Sequence, residues 1–233
     1  MSSDSPNRLQ KALQERLVAG LFCHIPATVI GALFVFGVNF VYYREQLAMA
    51  HLVIWGALLG AFGVGRLLIL AYYHRQPQRF SAVTWRNLHA STAIAHSLSW
   101  CVLLISVIHL DDRSLTAIAT ISVGAVIGAS IATTSASIVS FSCFIVPLVI
   151  ALPAAMFPYE DAFELTLAGG WVALLVFMLV SGHRLHTTLA RAEQTRIEKE
   201  TLVDKLQHLS ERDPLTNLYN RRHFTSRLDA AWT

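Results

Sequence analysis

The chain has 233 residues, of which 54 % are hydrophobic and only 14 % are charged, with a formal net charge of +3. The charged fraction is about half of that found in ordinary soluble domains. This composition excludes a typical soluble protein. The net charge alone says little about partners, and we expect membrane lipid and no nucleic acid.

The charged residues are unevenly distributed. No Asp, Glu, Lys or Arg occurs between Ser114 and Tyr159. As one helix this stretch would be roughly 70 Å long, more than twice the apolar thickness of a bilayer at about 30 Å. It must therefore fold back once, and the small polar residues 133–137 predict the turn.

Six apolar segments of about 20 residues are long enough to cross a bilayer. Backbone polar groups in lipid must be satisfied internally, so these segments are predicted to be helices. The chain is therefore predicted to be an all-α membrane protein, a six-transmembrane-helix bundle spanning residues 20–182. The predicted spans are 20–41, 49–73, 88–110, 115–134, 137–157 and 162–182.

Basic residues predict the orientation. With the N-terminal segment 1–19 in the cytoplasm, most Lys and Arg fall on that side, including Arg75, Arg79 and the tail from Arg184 onward. The outer loops contain only Arg44 and Arg113 among several acidic residues. By the positive-inside rule, both termini are predicted to be cytoplasmic.

Residues 183–210 are polar and contain neither Gly nor Pro, which favours one continuous helix. Apolar residues form two incomplete seams, one ending at Val203 and Leu206 and one containing Leu202 and Leu209. This pattern fits either a solvated single helix or a signalling helix that pairs in a homodimer.

A dense motif follows this segment. It matches the opening of the GGDEF family, in which Asp-x-Leu-Thr-x-Leu-x-Asn-Arg-Arg-x-Phe follows a connecting helix. The chain therefore resembles a GGDEF-family diguanylate cyclase over about 16 residues. The matching residues are Asp213, Leu215, Thr216, Leu218, Asn220, Arg221, Arg222 and Phe224.

The resemblance implies that residues 211–233 begin an α/β GGDEF domain. Members of this family condense two GTP molecules into cyclic di-GMP with Mg²⁺, across a dimer of GGDEF domains. Their catalytic, GTP-binding and metal-binding residues lie further along than Thr233, so we expect no catalytic residue among these 233 and GTP binding only through the missing part. The resemblance also implies a bacterial inner (cytoplasmic) membrane location.

Two alternatives remain open from the sequence. The first is a non-enzymatic membrane receptor with a degenerate GGDEF tail. The second is a transporter, which the sequence supports poorly because no acidic residue lies deep in a span and no pair of broken spans repeats.

Histidines near the cytoplasmic ends of the spans are candidate ligands for a signal sensed inside the bilayer, where ionisable residues are costly. His96 lies deepest and is the first candidate ligand for a b-type haem, partnered by His24 or His183. His89 is a further candidate, because it lies seven residues before His96 on the same face of the span. Arg66 is the candidate partner for the haem propionates. These haem ligands are hypotheses from position alone.

The same side chains have less specific interpretations. The histidines could bind a copper or zinc ion, or act as interfacial polar residues hydrogen-bonded to carbonyls and water. Arg66 could extend to the interface or make a structural pair.

Overall fold

The computed structural model describes residues 5–110, 112–155 and 161–211. The chain divides into two compact units, one of residues 14–190 and one of residues 1–13 with 191–233. Seven α-helices and a short 3₁₀ turn at Pro77–Arg79 form the described part, which contains no strand. The helices are α1 Ser5–Cys23, α2 Ile25–Tyr43, α3 Met49–Arg75, α4 Ala82–Ile108, α5 Arg113–Thr134, α6 Ile138–Ala155 and α7 Ala162–Glu211.

Six helical stretches within the described residues are long and apolar enough to cross a membrane. Helices α1 and α2 together form the first of these, and α3 to α7 form the other five. The predicted multi-pass, all-helical architecture is thus confirmed. The predicted turn is also present, since α5 ends at Thr134 and α6 begins at Ile138. The predicted start of an α/β GGDEF domain, 211–233, lies outside the described residues except for Glu211.

The first span differs from the prediction. Instead of one helix over 20–41, α1 ends at Cys23 and α2 begins at Ile25, with His24 between them. Pro26 lies in the first turn of α2. Because proline has no N–H and its ring collides with the preceding helical turn, it interrupts the helix at this point.

Helix α4 also begins earlier than the predicted 88. It starts at Ala82, where the Ser81 hydroxyl accepts a hydrogen bond from the backbone N–H of Thr84 at 3.2 Å. Trp85 is buried, and its indole N–H donates to the carbonyl of Pro77 at 2.9 Å. A capping serine and a buried tryptophan together extend this helix beyond the apolar run visible in the sequence.

Large aromatic side chains dominate the interior of the bundle. The main cluster includes Trp55, Trp100 and Phe141, and a smaller cluster contains Phe22 and Trp85. Many other large apolar residues are exposed on the helix surfaces, as expected where lipid replaces water.

Polar contacts join the helix ends on the side of the bundle where α2 ends and α5 begins. Tyr43 at the end of α2 donates its hydroxyl to the carbonyl of Leu115 at 2.9 Å. Asp161 accepts a hydrogen bond from the backbone N–H of Glu164 at 3.0 Å and forms an ion pair with Arg113. That backbone N–H, with a further contribution from Arg113, holds the pKa of Asp161 below its ordinary value.

Gly182 allows a close approach between α7 and α6. A Cβ atom at this position would overlap the ring of Phe141, which is fully buried. By contrast, a Cβ atom at Gly169 of the same helix would meet nothing within 4 Å.

We expect Gly182→Ala to destabilise the bundle by about 1–3 kcal/mol, the usual cost of overpacking a filled interior. Gly169→Ala is the matched control, because it gains the same helix propensity without an overlap. Thermal unfolding of both variants in detergent measures the difference. Equal stabilities would contradict the close packing of Gly182 on Phe141.

Candidate functional site

One face of α4 carries polar side chains into the interior. His89, Thr92 and His96 are spaced by three and four residues, so they lie on the same side of the helix. His89 and His96 are only 1 % and 4 % exposed. Burial of polar groups at this depth requires hydrogen-bond partners within the protein.

Arg66 of α3 faces this polar row. Its Nε donates to the Thr92 hydroxyl oxygen at 3.1 Å, and that hydroxyl donates to the carbonyl of His89 at 2.7 Å. The guanidinium also lies over the ring of Phe62, 5.1 Å from its centroid. Arg66 is 1 % exposed, so its side chain does not extend along the surface of the bundle. Its Nη1 is buried without a hydrogen-bond partner.

His89 links α4 to α6. Its Nδ1 lies 3.0 Å from the hydroxyl of Ser140, which is fully buried. The other ring nitrogen, Nε2, has no hydrogen-bond partner. The Ser140 hydroxyl is therefore a hydrogen-bond partner for only one of the two ring nitrogens of His89.

His96 lies between aromatic rings. Its ring stacks on Phe62 at 3.9 Å between centroids and packs against Phe144 at 5.0 Å. The indole N–H of Trp100 donates to His96 Nε2 at 2.9 Å. Since Nε2 accepts this bond, a neutral His96 carries its proton on Nδ1.

The structure brings together only some of the predicted haem ligands. His89, His96 and Arg66 are all buried, whereas His24 and His183 are exposed. Arg66 contacts Thr92, which lies between the two buried histidines on α4. Ligation of iron through Nε2 of His96 would require release of the Trp100 indole. Within the described ranges, no three His, Cys, Asp or Glu side chains form a metal-binding group. Haem or metal binding therefore stays a prediction.

Three hydrogen-bond partners of these buried side chains were not predicted from the sequence. Trp100 lies four residues after His96 and Thr92 three residues after His89, so the helical spacing could have indicated both. Ser140 is 51 residues from His89, and no local signal links them.

A cavity of about 160 Å³ adjoins Arg66 and His96. Small residues of α2 and α5 form much of its wall, and Phe144 of α6 closes another side. The lining residues are Ala27, Thr28, Gly31, Ala32, Val35, Arg66, His96, Ala125, Val126, Ala129, Ser130, Thr133, Thr134 and Phe144.

Six apolar helical stretches around buried polar side chains define a multi-pass membrane protein. Comparison with known protein families matches residues 18–209 to MASE5, a membrane-associated sensor family. The match covers most of the chain, which therefore belongs to the MASE5 family of membrane-associated sensors. Neither the curated proteins nor the solved structures with which the chain was compared gave a match.

The GGDEF-like motif at 213–224 lies outside both the described residues and the matched range. The family match establishes a membrane sensor region. Cyclase activity stays a prediction based on the motif.

We expect Ser140→Ala to destabilise the bundle by about 1–3 kcal/mol, because it leaves a second nitrogen of buried His89 without a partner. Ser91→Ala is the control, since Ser91 is exposed and its hydroxyl donates to the carbonyl of Leu88 in its own helix. Thermal unfolding in detergent compares the two, and a loss no larger than that of the control would contradict the His89–Ser140 hydrogen bond.

Proposed function

We propose that this chain is the membrane-anchored sensory and dimerisation region of a diguanylate cyclase. In the full-length protein, the output would be the condensation of two GTP molecules into cyclic di-GMP with Mg²⁺. The observation that carries this proposal is the single helix α7, which runs from Ala162 to Glu211. It joins the last span to the polar segment that immediately precedes the GGDEF-like motif.

The length of α7 supports a role in transmission. A helix of 50 residues is about 75 Å long, more than twice the apolar thickness of a bilayer. Part of it must therefore lie outside the hydrocarbon. Its polar part is stabilised by pairs one turn apart, such as Arg196 with Glu200 at 3.2 Å and Gln194 with Glu198 at 2.9 Å.

The span portion of α7 is attached to its neighbours at several points. The indole N–H of Trp171 donates to the carbonyl of Leu148 in α6 at 3.1 Å. At the other end of the span, Nδ1 of His186 lies 2.9 Å from the carbonyl oxygen of Ser135. These contacts would convert a rearrangement of α6 into a movement of α7.

Exposed apolar residues in the polar segment support a homodimer. Leu202, Val203 and Leu206 are 57–60 % exposed, although the residues around them are charged. Leu202 and Leu206 lie one turn apart and would present one apolar edge to a second copy.

The decisive experiment measures cyclic di-GMP made from GTP and Mg²⁺ by the full-length protein in liposomes. We expect activity if the reading frame past Thr233 encodes the Gly-Gly-Asp/Glu-Glu-Phe turn. Leu202→Lys should reduce both the dimer fraction and the activity several-fold, because it places a charge in the apolar edge. Thr201→Lys is the matched control, since it adds the same charge at the neighbouring exposed position.

The alternative is a non-enzymatic receptor with a degenerate GGDEF tail. It would be favoured if the Gly-Gly-Asp/Glu-Glu-Phe turn is absent, or if the correctly inserted protein makes no cyclic di-GMP. Equal effects of the two lysine substitutions would contradict dimerisation through this edge.

We further propose an inner-membrane location with both termini in the cytoplasm. The connection between α3 and α4 carries Arg79 and is flanked by Arg75 and Arg86, whereas the outer connections combine Arg44 and Arg113 with acidic residues. This asymmetry supports the orientation by the positive-inside rule.

A membrane-impermeant thiol reagent tests the orientation in a background with the three native cysteines replaced. We expect Glu45→Cys to be labelled in intact spheroplasts and Gln78→Cys only after lysis. The reverse labelling would contradict the proposed topology.

A further inference from the structure

Among the residues that the structure describes, no carboxylate forms an ion pair with Arg66. Helices α2 to α6 contain no Asp or Glu. The hydrogen bond from its Nε to Thr92 is neutral, and Nη1 has no partner although the side chain is 1 % exposed. A buried cation without a counter-charge is costly in hydrocarbon. An anion beside the guanidinium would supply the missing counter-charge.

The cavity beside Arg66 provides the space for such an anion. Its volume of about 160 Å³ is close to that of an engineered protein cavity of about 150 Å³ that binds benzene. This space holds a carboxylate or phosphate head with a few carbon atoms, but little more.

The polar groups of the cavity wall leave Arg66 as the main donor. The four hydroxyls that line the cavity donate to carbonyls of their own helices, over 2.7–3.3 Å, and so have no hydrogen left for a ligand. They belong to Thr28, Ser130, Thr133 and Thr134. A neutral His96 carries a proton on Nδ1 and adds a second donor to the lining.

The mouth of the cavity faces lipid. Ala27 and Gly31 of α2, with Ala125 and Ala129 of α5, line the cavity and are themselves exposed on the bundle surface. Their small side chains leave a passage for an alkyl chain between the two helices. Arg66 is nine residues from the end of α3, about 14 Å along the helix axis. An apolar tail would let a ligand with an anionic head reach this depth through the hydrocarbon.

We propose that this cavity binds an amphiphile with an oxyanion head and a single apolar tail, which enters from the bilayer between α2 and α5. The head pairs with Arg66, and the tail runs out past Ala27 and Ala129. Its role as a signal rests on the proposed sensory function, whereas binding itself is a property of this chain.

The contacts of Phe144 and Phe141 connect this site to α7. Phe144 lines the cavity and packs on His96, and Phe141 lies one turn earlier in α6, against Gly182 of α7. A ligand that shifts Phe144 would therefore displace the residue on which α7 packs.

Binding of radiolabelled decanoate to the purified chain in nanodiscs tests the proposal. We expect saturable binding that weakens about 10- to 100-fold in Arg66→Gln, the usual loss for a charge-assisted hydrogen bond. Arg75→Gln is the matched control, because it removes the same charge from an exposed position of the same helix. Ala129→Leu should also abolish binding, because it fills the mouth while leaving Arg66 in place.

Decanol and decyl phosphate, as competitors with the same tail, define the head. Decanol should compete at least tenfold more weakly than decanoate, because it has no charged head. If the natural head is a phosphate, decyl phosphate should compete more strongly than decanoate. Equal competition by all three, or unchanged binding in Arg66→Gln, would overturn the proposal. A Soret band in the purified protein that disappears in His96→Ala would also overturn it, by assigning the cavity to haem.

Decanoate binding and cyclic di-GMP synthesis are measured independently. Loss of binding would leave the cyclase proposal intact, and an inactive full-length protein would leave the binding result intact.

Discussion

The structure depends on one constraint, the cost of leaving a polar group without a partner where no water is available. Along the helices, serine and threonine hydroxyls meet it by donating to carbonyls three or four residues earlier, as Ser99 does to His96 at 2.7 Å. Between helices, the chain of contacts from Arg66 through Thr92 to His89 and Ser140 meets it across α3, α4 and α6. The exceptions are then informative, because each marks a place where the fold alone does not satisfy its own polar groups.

The spans were predictable because their length and lack of charge are set by the bilayer. The same physics predicted the turn near residue 134. The helical character of 183–210 was predicted from its polar composition without Gly or Pro. The break at His24 was missed, although Pro26 was visible, because an apolar run on both sides of a proline looks like one span. The start of α4 was missed because Trp85 and Arg86 were taken to lie outside the membrane.

The site was harder to predict than the spans. Sequence position placed His96 and Arg66 within the spans, and both are buried. Position along a span, however, does not give direction around the helix axis. The spans are apolar on nearly all sides, so periodicity does not show which face is inward. His24 and His183 were therefore grouped with His96 by depth, whereas the fold exposes both. Ser140, the partner of His89, is distant in sequence and could be found only from the structure.

The uninterrupted course of α7 has a consequence for how this protein can be altered or recombined. Each residue added to a helix rotates everything after it by about 100° and advances it by about 1.5 Å. The number of residues between Gly182, where the helix packs on Phe141, and Glu211, where α7 ends, therefore fixes the phase of the last helical turn. Insertions or deletions of seven residues nearly preserve this phase, whereas those of two or five nearly reverse it. Fusion proteins built on this sensor must keep that count.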